Sequence, residues 1–281
     1  MSTWLATAAV LLAAIVLALL PPPAGADPLG AANWSRLQGC GAAGGNSPLI
    51  NNAKLQLAAK HLADGAGLQQ AVAASGYLAA NSTAIHLSGP ASDADTERLI
   101  AAHYCATVRD PALRDFGAER RGREVWMILA TPLVLPAARD ELAVAQRIVE
   151  LVNAARAAGR RCGSKAFAPS GPLQFDAALT RAALDHSQDM AAHDEFDHRG
   201  HDGSTPASRI ERAGFEKMSI VGENIAAGAT SAAEVTQGWL ESPGHCENIM
   251  DGRFTHIGIA FAENLRTSAL IFWTQDFAAH R

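Results

Sequence analysis

The chain has 281 residues, of which 48% are hydrophobic and 18% charged, and its formal net charge is −5 at pH 7. This length suits one large domain or two ordinary ones, and the apolar fraction excludes a wholly disordered chain. Binding to nucleic-acid phosphates needs a basic face, so the mild acidity argues against nucleic acid as the main partner.

The first residues have the pattern of an export signal. Residues 4–20 are apolar and uncharged, and Ala-Gly-Ala follows at residues 24–26. This combination is typical of a signal peptide, so we expect residues 1–26 to be cleaved before Asp27. Residues 1–3 carry no Lys or Arg, and the alternative is an uncleaved membrane anchor, although the apolar run is short for a spanning helix. Both interpretations predict an extracytoplasmic protein, secreted or periplasmic.

The cysteine content agrees with export. There are four cysteines, an even number, and none lies in a close Cys-x-x-Cys pair. Disulfides are therefore favoured over a zinc-thiolate or redox motif.

The two halves of the chain carry similar landmarks in the same order. Each half has a cysteine, a Pro-Leu pair, an Ala-rich helix, a Gly-aromatic pair and a second cysteine. In the first half these are Cys40, Pro48-Leu49, residues 52–63, Gly76-Tyr77 and Cys105. In the second half they are Cys162, Pro172-Leu173, a helix through Met190, Gly214-Phe215 and Cys246. We interpret residues 27–138 as a degenerate copy of residues 139–281. The alternative is two unrelated Ala-rich segments, because Ala-rich composition inflates such matches.

This comparison makes three further predictions. The matched cysteines predict the disulfides Cys40–Cys105 and Cys162–Cys246. The first half lacks 14 positions between its Pro-Leu and Gly-aromatic pairs, which correspond to the loop that carries His198. In this match, Glu223 falls opposite His86.

The second half reads as helices alternating with strands. Apolar spacing and end signals predict helices over residues 141–158, from Asp176 through Met190, after Thr205-Pro206 and from Ser231 to Trp239, and strands over residues 218–225, 256–262 and 268–277. Residues 193–204 are polar and contain glycine, so they predict a loop. Strands with helices on both faces predict an α+β three-layer sandwich.

From about residue 141 to 281, the motifs resemble those of the bacterial CAP superfamily (cysteine-rich secretory proteins, antigen 5 and plant pathogenesis-related proteins). The resemblance is carried by FDHRGHDGSTP at 196–206, GENIAAGATSAAEVTQGWLESPGHCENI at 222–249 and IFWTQDF at 271–277. It implies a CAP-type three-layer αβα sandwich for residues 139–281, in a secreted and monomeric scaffold protein.

The resemblance also implies a set of site residues. In many CAP proteins, two histidines and two glutamates line a cleft that can hold zinc or another divalent metal. Matched by position, His198 and His245 are the histidines and Glu223 is the first glutamate. The second glutamate falls at Ser242, with Glu241 one place earlier, so the set is incomplete.

These residues also have structural interpretations. The Glu223 carboxylate can serve to fix its strand through hydrogen bonds, and His245 can cap the Pro-Gly turn before it. His201 is a weaker cleft candidate, because Gly200 argues against a helical pair with the first histidine. His186 is expected to be a core or boundary residue of its amphipathic helix.

The function implied by the resemblance is a cleft that binds a small apolar molecule, such as a sterol or fatty acid, or a peptide. One alternative is a metal-dependent hydrolase of peptides or cell-wall material, and another is a non-catalytic structural or interaction protein. The sequence has neither a Gly-x-Ser-x-Gly elbow nor a His-Glu-x-x-His motif. The hydrolase interpretation rests only on a metal that activates water, so a non-enzymatic function is favoured. Membrane contact is expected only through an uncleaved signal segment.

Overall fold

The computed structural model describes residues 27–38, 40 and 46–281, and the predicted signal segment lies outside them. The chain divides into two compact units, of which the first ends at Pro132 and the second is Leu133–Arg281. In the described part of the chain, no helix is long and apolar enough to cross a membrane.

The first unit is built around a four-stranded sheet with the strand order β1-β3-β4-β2. The β1–β3 pair is parallel and the other two pairs are antiparallel. The elements are α1 (Pro28–Gln38), β1 (Ile50–Asn51), α2 (Ala53–Ala63), α3 (Leu68–Ala74), β2 (Ala79–Ser88), α4 (Asp93–His103), α5 (Cys105–Val108), β3 (Asp115–Arg121) and β4 (Glu124–Pro132).

The second unit has a four-stranded sheet with the order β7-β9-β10-β8 and a small β5–β6 hairpin. Its β7–β9 pair is parallel, and the β9–β10 and β10–β8 pairs are antiparallel. After a 3-10 turn (Ala138–Asp140), its elements are α6 (Glu141–Ala158), β5 (Arg160–Cys162), β6 (Lys165–Phe167), β7 (Gln174–Phe175), α7 (Ala177–His193), α8 (Pro206–Arg212), β8 (Met218–Ala227), α9 (Ala232–Glu241), α10 (Pro243–Met250), β9 (His256–Asn264) and β10 (Leu270–His280).

The main sheet of the second unit lies between two helical layers. On β10, Trp273 and Phe277 pack with α6, α9 and α10. The neighbouring side chains Phe272 and Ala278 pack with α7 and α8. Successive side chains of a strand point to opposite faces, so this alternation buries both faces of the sheet. The predicted α+β three-layer αβα sandwich is confirmed for this unit.

Sequence signals account for the ends of the main helices. The Asp176 carboxylate accepts hydrogen bonds from two backbone N–H groups in the first turn of α7, and Thr205 forms a capping box at the start of α8. Helix α6 ends before Gly159, whose φ is 68°, a conformation that favours glycine. All three helices lie where the sequence predicts them.

Both predicted disulfides are present. Cys40–Cys105 joins the segment after α1 to α5, with its Cα atoms 6.2 Å apart. Cys162–Cys246 joins β5 to α10, with its Cα atoms 5.5 Å apart. The matched landmarks therefore chose the correct pairing among the three that four cysteines allow.

The two units share more than strand order. Arg36 donates hydrogen bonds to the carbonyls of Val108, Asp110 and Leu113, and Arg156 donates in the same way to Ile249, Asp251 and Phe254. Each of these acceptors in the second unit lies 141 positions after its counterpart in the first. The matched contacts support the interpretation of the first unit as a degenerate copy, and the duplication stays a prediction.

A close approach of helix to sheet makes Gly258 a test of the packing. A Cβ atom there would lie 2.2 Å from backbone atoms of Leu179 and Thr180 in α7. We expect Gly258→Ala to lower the free energy of unfolding by roughly 1–3 kcal/mol, because neither backbone can yield without strain. Urea denaturation measures this loss. The control is Gly244→Ala in α10, where an added Cβ meets no atom within 4 Å. A Gly258→Ala variant as stable as the wild type would contradict the close approach.

Candidate functional site

The site forms where the loop after α7 meets the edge strand β8. Glu223 lies in the middle of β8, and His198 lies in the loop. Arg209 of α8 fixes that loop by donating hydrogen bonds to the carbonyls of Ser204 (3.1 Å) and His198 (3.0 Å). The loop is therefore held by a buried side chain, that of Arg209, although the loop sequence is polar.

The Glu223 carboxylate is the centre of this network. Its Oε1 atom lies 2.7 Å from Nδ1 of His198, and its Oε2 atom lies 2.6 Å from Nη2 of Arg209. The side chains of Glu223 and Arg209 are each only 2% exposed. A buried carboxylate needs a partner of opposite charge and hydrogen-bond donors, and Arg209 supplies both. On α7, Nε2 of His186 lies 3.9 Å from Oε1 of Glu223.

The three histidines around this network are in different electrostatic environments. The hydrogen bond to Glu223 raises the pKa of His198. Burial lowers the pKa of His245, and the nearby positive charge of His198 lowers it further. Burial also lowers the pKa of His186. At a given pH the site thus favours the protonated form more at His198 than at His245.

A cleft of about 600 Å³ runs beside the end of β8 and along α9. Most of its wall is apolar, and Glu234, Ser242 and His245 contribute polar groups. The lining residues are Phe196, Ile225–Ala229, Glu234, Val235, Gly238, Trp239, Ser242 and His245. The indole N–H of Trp239 donates to the Ile225 carbonyl at 3.1 Å, which fixes the helix against the edge strand.

Three of the predicted cleft residues lie near one another, and of these His245 lines the cleft whereas His198 and Glu223 are outside its lining. His198 contacts Glu223 directly, and His245 lies close enough to His198 for their charges to interact. His245 also lines the cleft with Ser242. The side chain of Glu241 does not line it and instead accepts a hydrogen bond from Gln237.

Two details of the sequence interpretation need correction. Pro243-Gly244 is not a turn for His245 to cap, because Pro243 starts the helix α10 and His245 lies in its first turn. His201 does not line the cleft. Its ring stacks on that of His193 with 3.8 Å between the centroids, and its Nδ1 atom lies 3.3 Å from Glu195.

Sequence reasoning missed two buried ionisable residues of the site, Arg209 and Asp276. Asp276 lies on β10 and pairs with Glu223 across the strands, and it is fully buried. A signal was present for Asp276, since it interrupts the apolar segment IFWTQDF. Arg209 gave no such signal, because one arginine on a short polar helix is usually solvated.

The residues as arranged do not fit the expected metal. Both Glu223 oxygens accept hydrogen bonds from Arg209 and His198, so an ion bound there would have to displace an arginine. Within residues 27–38, 40 and 46–281, no group of three or more His, Cys, Asp or Glu side chains is placed to hold a metal ion. Binding of zinc or another divalent ion stays a prediction.

Comparison with known proteins places the site in a family context. Residues 149–277 match the model of the cysteine-rich secretory protein family, CAP. The chain is similar to YkwD of Bacillus subtilis (strain 168), with 36% identity over 132 residues that cover 47% of this chain and 46% of that protein. It is also similar to the membrane protein YlbC of the same strain, with 28% identity over 105 residues that cover 37% of this chain and 28% of that protein. The chain therefore spans less than half the length of these relatives.

Similar solved structures include two bacterial surface or extracellular proteins. One is an extracellular protein containing an SCP domain from Bacillus anthracis, with 24% identity and a TM-score of 0.42 over 57% of this chain and 53% of that chain. The other is an outer surface protein from Borrelia burgdorferi, with 19% identity and a TM-score of 0.41 over 52% of this chain and 97% of that chain.

Proposed function

We propose that this protein, whose residues 149–277 match the model of the cysteine-rich secretory protein (CAP) family, is an exported binding protein for an apolar ligand with an acidic end. The ligand classes are a fatty acid-like molecule and an apolar peptide with a free C-terminus. The single observation that carries the proposal is the apolar cleft whose lining includes His245, which interacts electrostatically with His198 outside the lining.

The apolar part of the cleft supports binding of a hydrocarbon or apolar side chains. Phe196 is 55% exposed at the rim although it is a large aromatic residue. A ligand that covers Phe196 and contacts Ile225 and Val235 would remove apolar surface from water, at about 25 cal/mol per Å². Concave and mostly apolar walls with few polar groups are typical of ligand sites.

The polar end of the cleft supports an acidic group on the ligand. His245 and Ser242 present polar side chains there, and the raised pKa of the neighbouring His198 favours its cationic form. A carboxylate would gain a charge-assisted hydrogen bond and electrostatic attraction.

The hydrogen-bond geometry favours binding over hydrolysis. To act as a general base, Glu223 would have to take up a proton, but its two oxygens are held by Arg209 and His198. This arrangement suits a fixed anion that orients His198.

Export is part of the same proposal. Each unit contains one disulfide within itself, and stable disulfides are typical of extracytoplasmic proteins. The exact compartment and the cleavage before Asp27 stay predictions, and N-terminal sequencing of exported protein tests the cleavage.

The cleft is tested with a blocking variant and a fluorescent probe. Gly238 lines the cleft on α9, and a Cβ there meets no atom within 4 Å, so Gly238→Leu should place its side chain in the open space without strain. We expect dansyl-undecanoic acid to bind the wild type and to bind Gly238→Leu at least tenfold more weakly, about 1.4 kcal/mol. Gly244→Leu is the control, because Gly244 is helical, unobstructed and outside the cleft lining.

The preference for an acidic group on the ligand is tested by varying the pH and by comparing dansyl-undecanoic acid with the corresponding alcohol. Affinity for the carboxylate probe should fall as pH rises through the raised pKa of His198, because the imidazolium loses its charge. Affinity for the alcohol should not follow this change. Equal binding by wild type and Gly238→Leu, or failure of the fatty-acid probe and of apolar peptides to bind at all, would overturn the proposal.

A further inference from the structure

Asp276 and Glu223 form a pair of buried carboxyl groups behind the cleft. They occupy paired positions on β10 and β8, which places their side chains next to each other on the face covered by α7. Asp276 is 0% exposed. On its other side, Asp276 pairs with Gly258, where the backbone of α7 closes the space.

No described residue donates a hydrogen bond to either carboxyl oxygen of Asp276. Nδ1 of His198 and Nη2 of Arg209 are directed at Glu223, and Nε of Arg209, which is also buried, has no hydrogen-bond partner. An ionised Asp276 would therefore be a buried anion beside a second anion and without a donor, which is strongly unfavourable. A proton on Asp276 removes this cost and provides a donor for Glu223.

The charges that face the pair lead to the same conclusion. Arg209 is the fully buried cation, burial lowers the pKa of His186 on α7, and His198, whose side chain is 52% exposed, is bound to Glu223 through Nδ1. Both cationic side chains therefore bind Glu223, and neither donates a hydrogen bond to Asp276. Burial, and then the negative charge of Glu223, raise the pKa of Asp276 well above its usual range.

The first unit shows that this sheet does not need acids at these positions. There, Ala84 pairs with Ile128, and Ile128 pairs with Gly117. A Cβ on Gly117 would lie 2.1 Å from the backbone of α2, just as Gly258 meets α7. The same local packing therefore holds an apolar pair in one unit and an acid pair in the other.

We infer that Asp276 is a neutral carboxylic acid that donates a hydrogen bond to Glu223 and positions the Glu223–His198 pair beside the cleft. With donors from Asp276, Arg209 and His198, Glu223 stays a fixed anion. It holds Nδ1 of His198, and Nε2 of that ring is left for a ligand. This last step rests on the proposed function, whereas the protonation of Asp276 does not.

Infrared spectroscopy tests the protonation directly and without a ligand. Folded wild type at pH 7 should show the carbonyl band of a protonated carboxylic acid, and Asp276→Asn should lose it. Asp251→Asn is the control, because Arg253 holds Asp251 as an anion near the surface. Absence of the band from the wild type, or its persistence in Asp276→Asn, would overturn the inference even if dansyl-undecanoic acid binds.

The titration of His198, followed by NMR, is a second and independent test of the protonation of Asp276. If Asp276 is neutral, Asp276→Asn replaces one neutral donor with another, and the midpoint of His198 should not move. If Asp276 is ionised, the substitution removes a negative charge near His198, and the midpoint should fall. A fall would contradict the inference. Failure of the wild type to bind any probe would instead refute only the proposed function.

Discussion

Arg209→Met should destabilise the second unit by about 3–5 kcal/mol, because it leaves Glu223 as a buried carboxylate without its cation. It also removes the hydrogen bonds that hold the loop at Ser204 and His198. Urea denaturation of the full chain measures the loss. The two units can unfold in separate transitions, so each transition should be fitted by itself.

Two variants make this result specific to the ion pair. Arg212→Met on the same helix removes an exposed cation that lies 3.6 Å from Asp202, and its effect should stay within about 0.5 kcal/mol. The double change Arg209→Met with Glu223→Leu should recover much of the loss, since an apolar pair can replace a buried ion pair. A double variant no more stable than Arg209→Met would contradict the assignment of the loss to the unpaired carboxylate.

Local signals predicted the framework of the second unit well. Helix α6 follows from its apolar spacing and the glycine that ends it, and α7 follows from the Asp176 cap. These signals act within a few residues, so a single sequence contains them. The disulfides were predictable for another reason, because matched landmarks in the two halves fixed which cysteines correspond.

Long-range register was not predictable in this way. The landmarks set Glu223 opposite His86, but the strand pairing puts Ala84 in the equivalent place, two residues earlier. A shift of two keeps the same face of the strand and so leaves the hydrophobic pattern unchanged. The pairing of Glu223 with Asp276 depends in the same way on the register between β8 and β10, which the hydrophobic pattern does not fix to within two residues. Only the folded structure therefore reveals it.

The family resemblance grouped His198, Glu223 and His245, and the structure shows the contact between the first two. The resemblance did not indicate that a guanidinium binds this glutamate. The metal that it implied stays a prediction. The guanidinium is that of Arg209, whose role depends on how a loop folds back and not on any motif around it.

The second large loss of stability is expected when either of two equivalent buried arginines, Arg36 or Arg156, is replaced. Arg156 is 1% exposed and donates to four carbonyls, those of Gly171, Ile249, Asp251 and Phe254. Methionine can fill a similar volume, but it leaves these carbonyls without that donor. Each buried group that stays unsatisfied costs about 1–3 kcal/mol, and partial relaxation makes a total loss of about 3–5 kcal/mol the expected result for Arg156→Met.

Arg36→Met is its natural comparison, because Arg36 is also 1% exposed and donates to the corresponding carbonyls of the first unit. We expect each substitution to lower the stability of its own unit by a similar amount, measured as the shift of the two urea transitions. Arg147→Met, on the exposed side of α6, should change neither transition by more than about 0.5 kcal/mol. If Arg36→Met had little effect while Arg156→Met unfolded the second unit, the two arginines would not be equivalent supports. The structural argument for a duplicated fold would then lose its strongest pair of contacts.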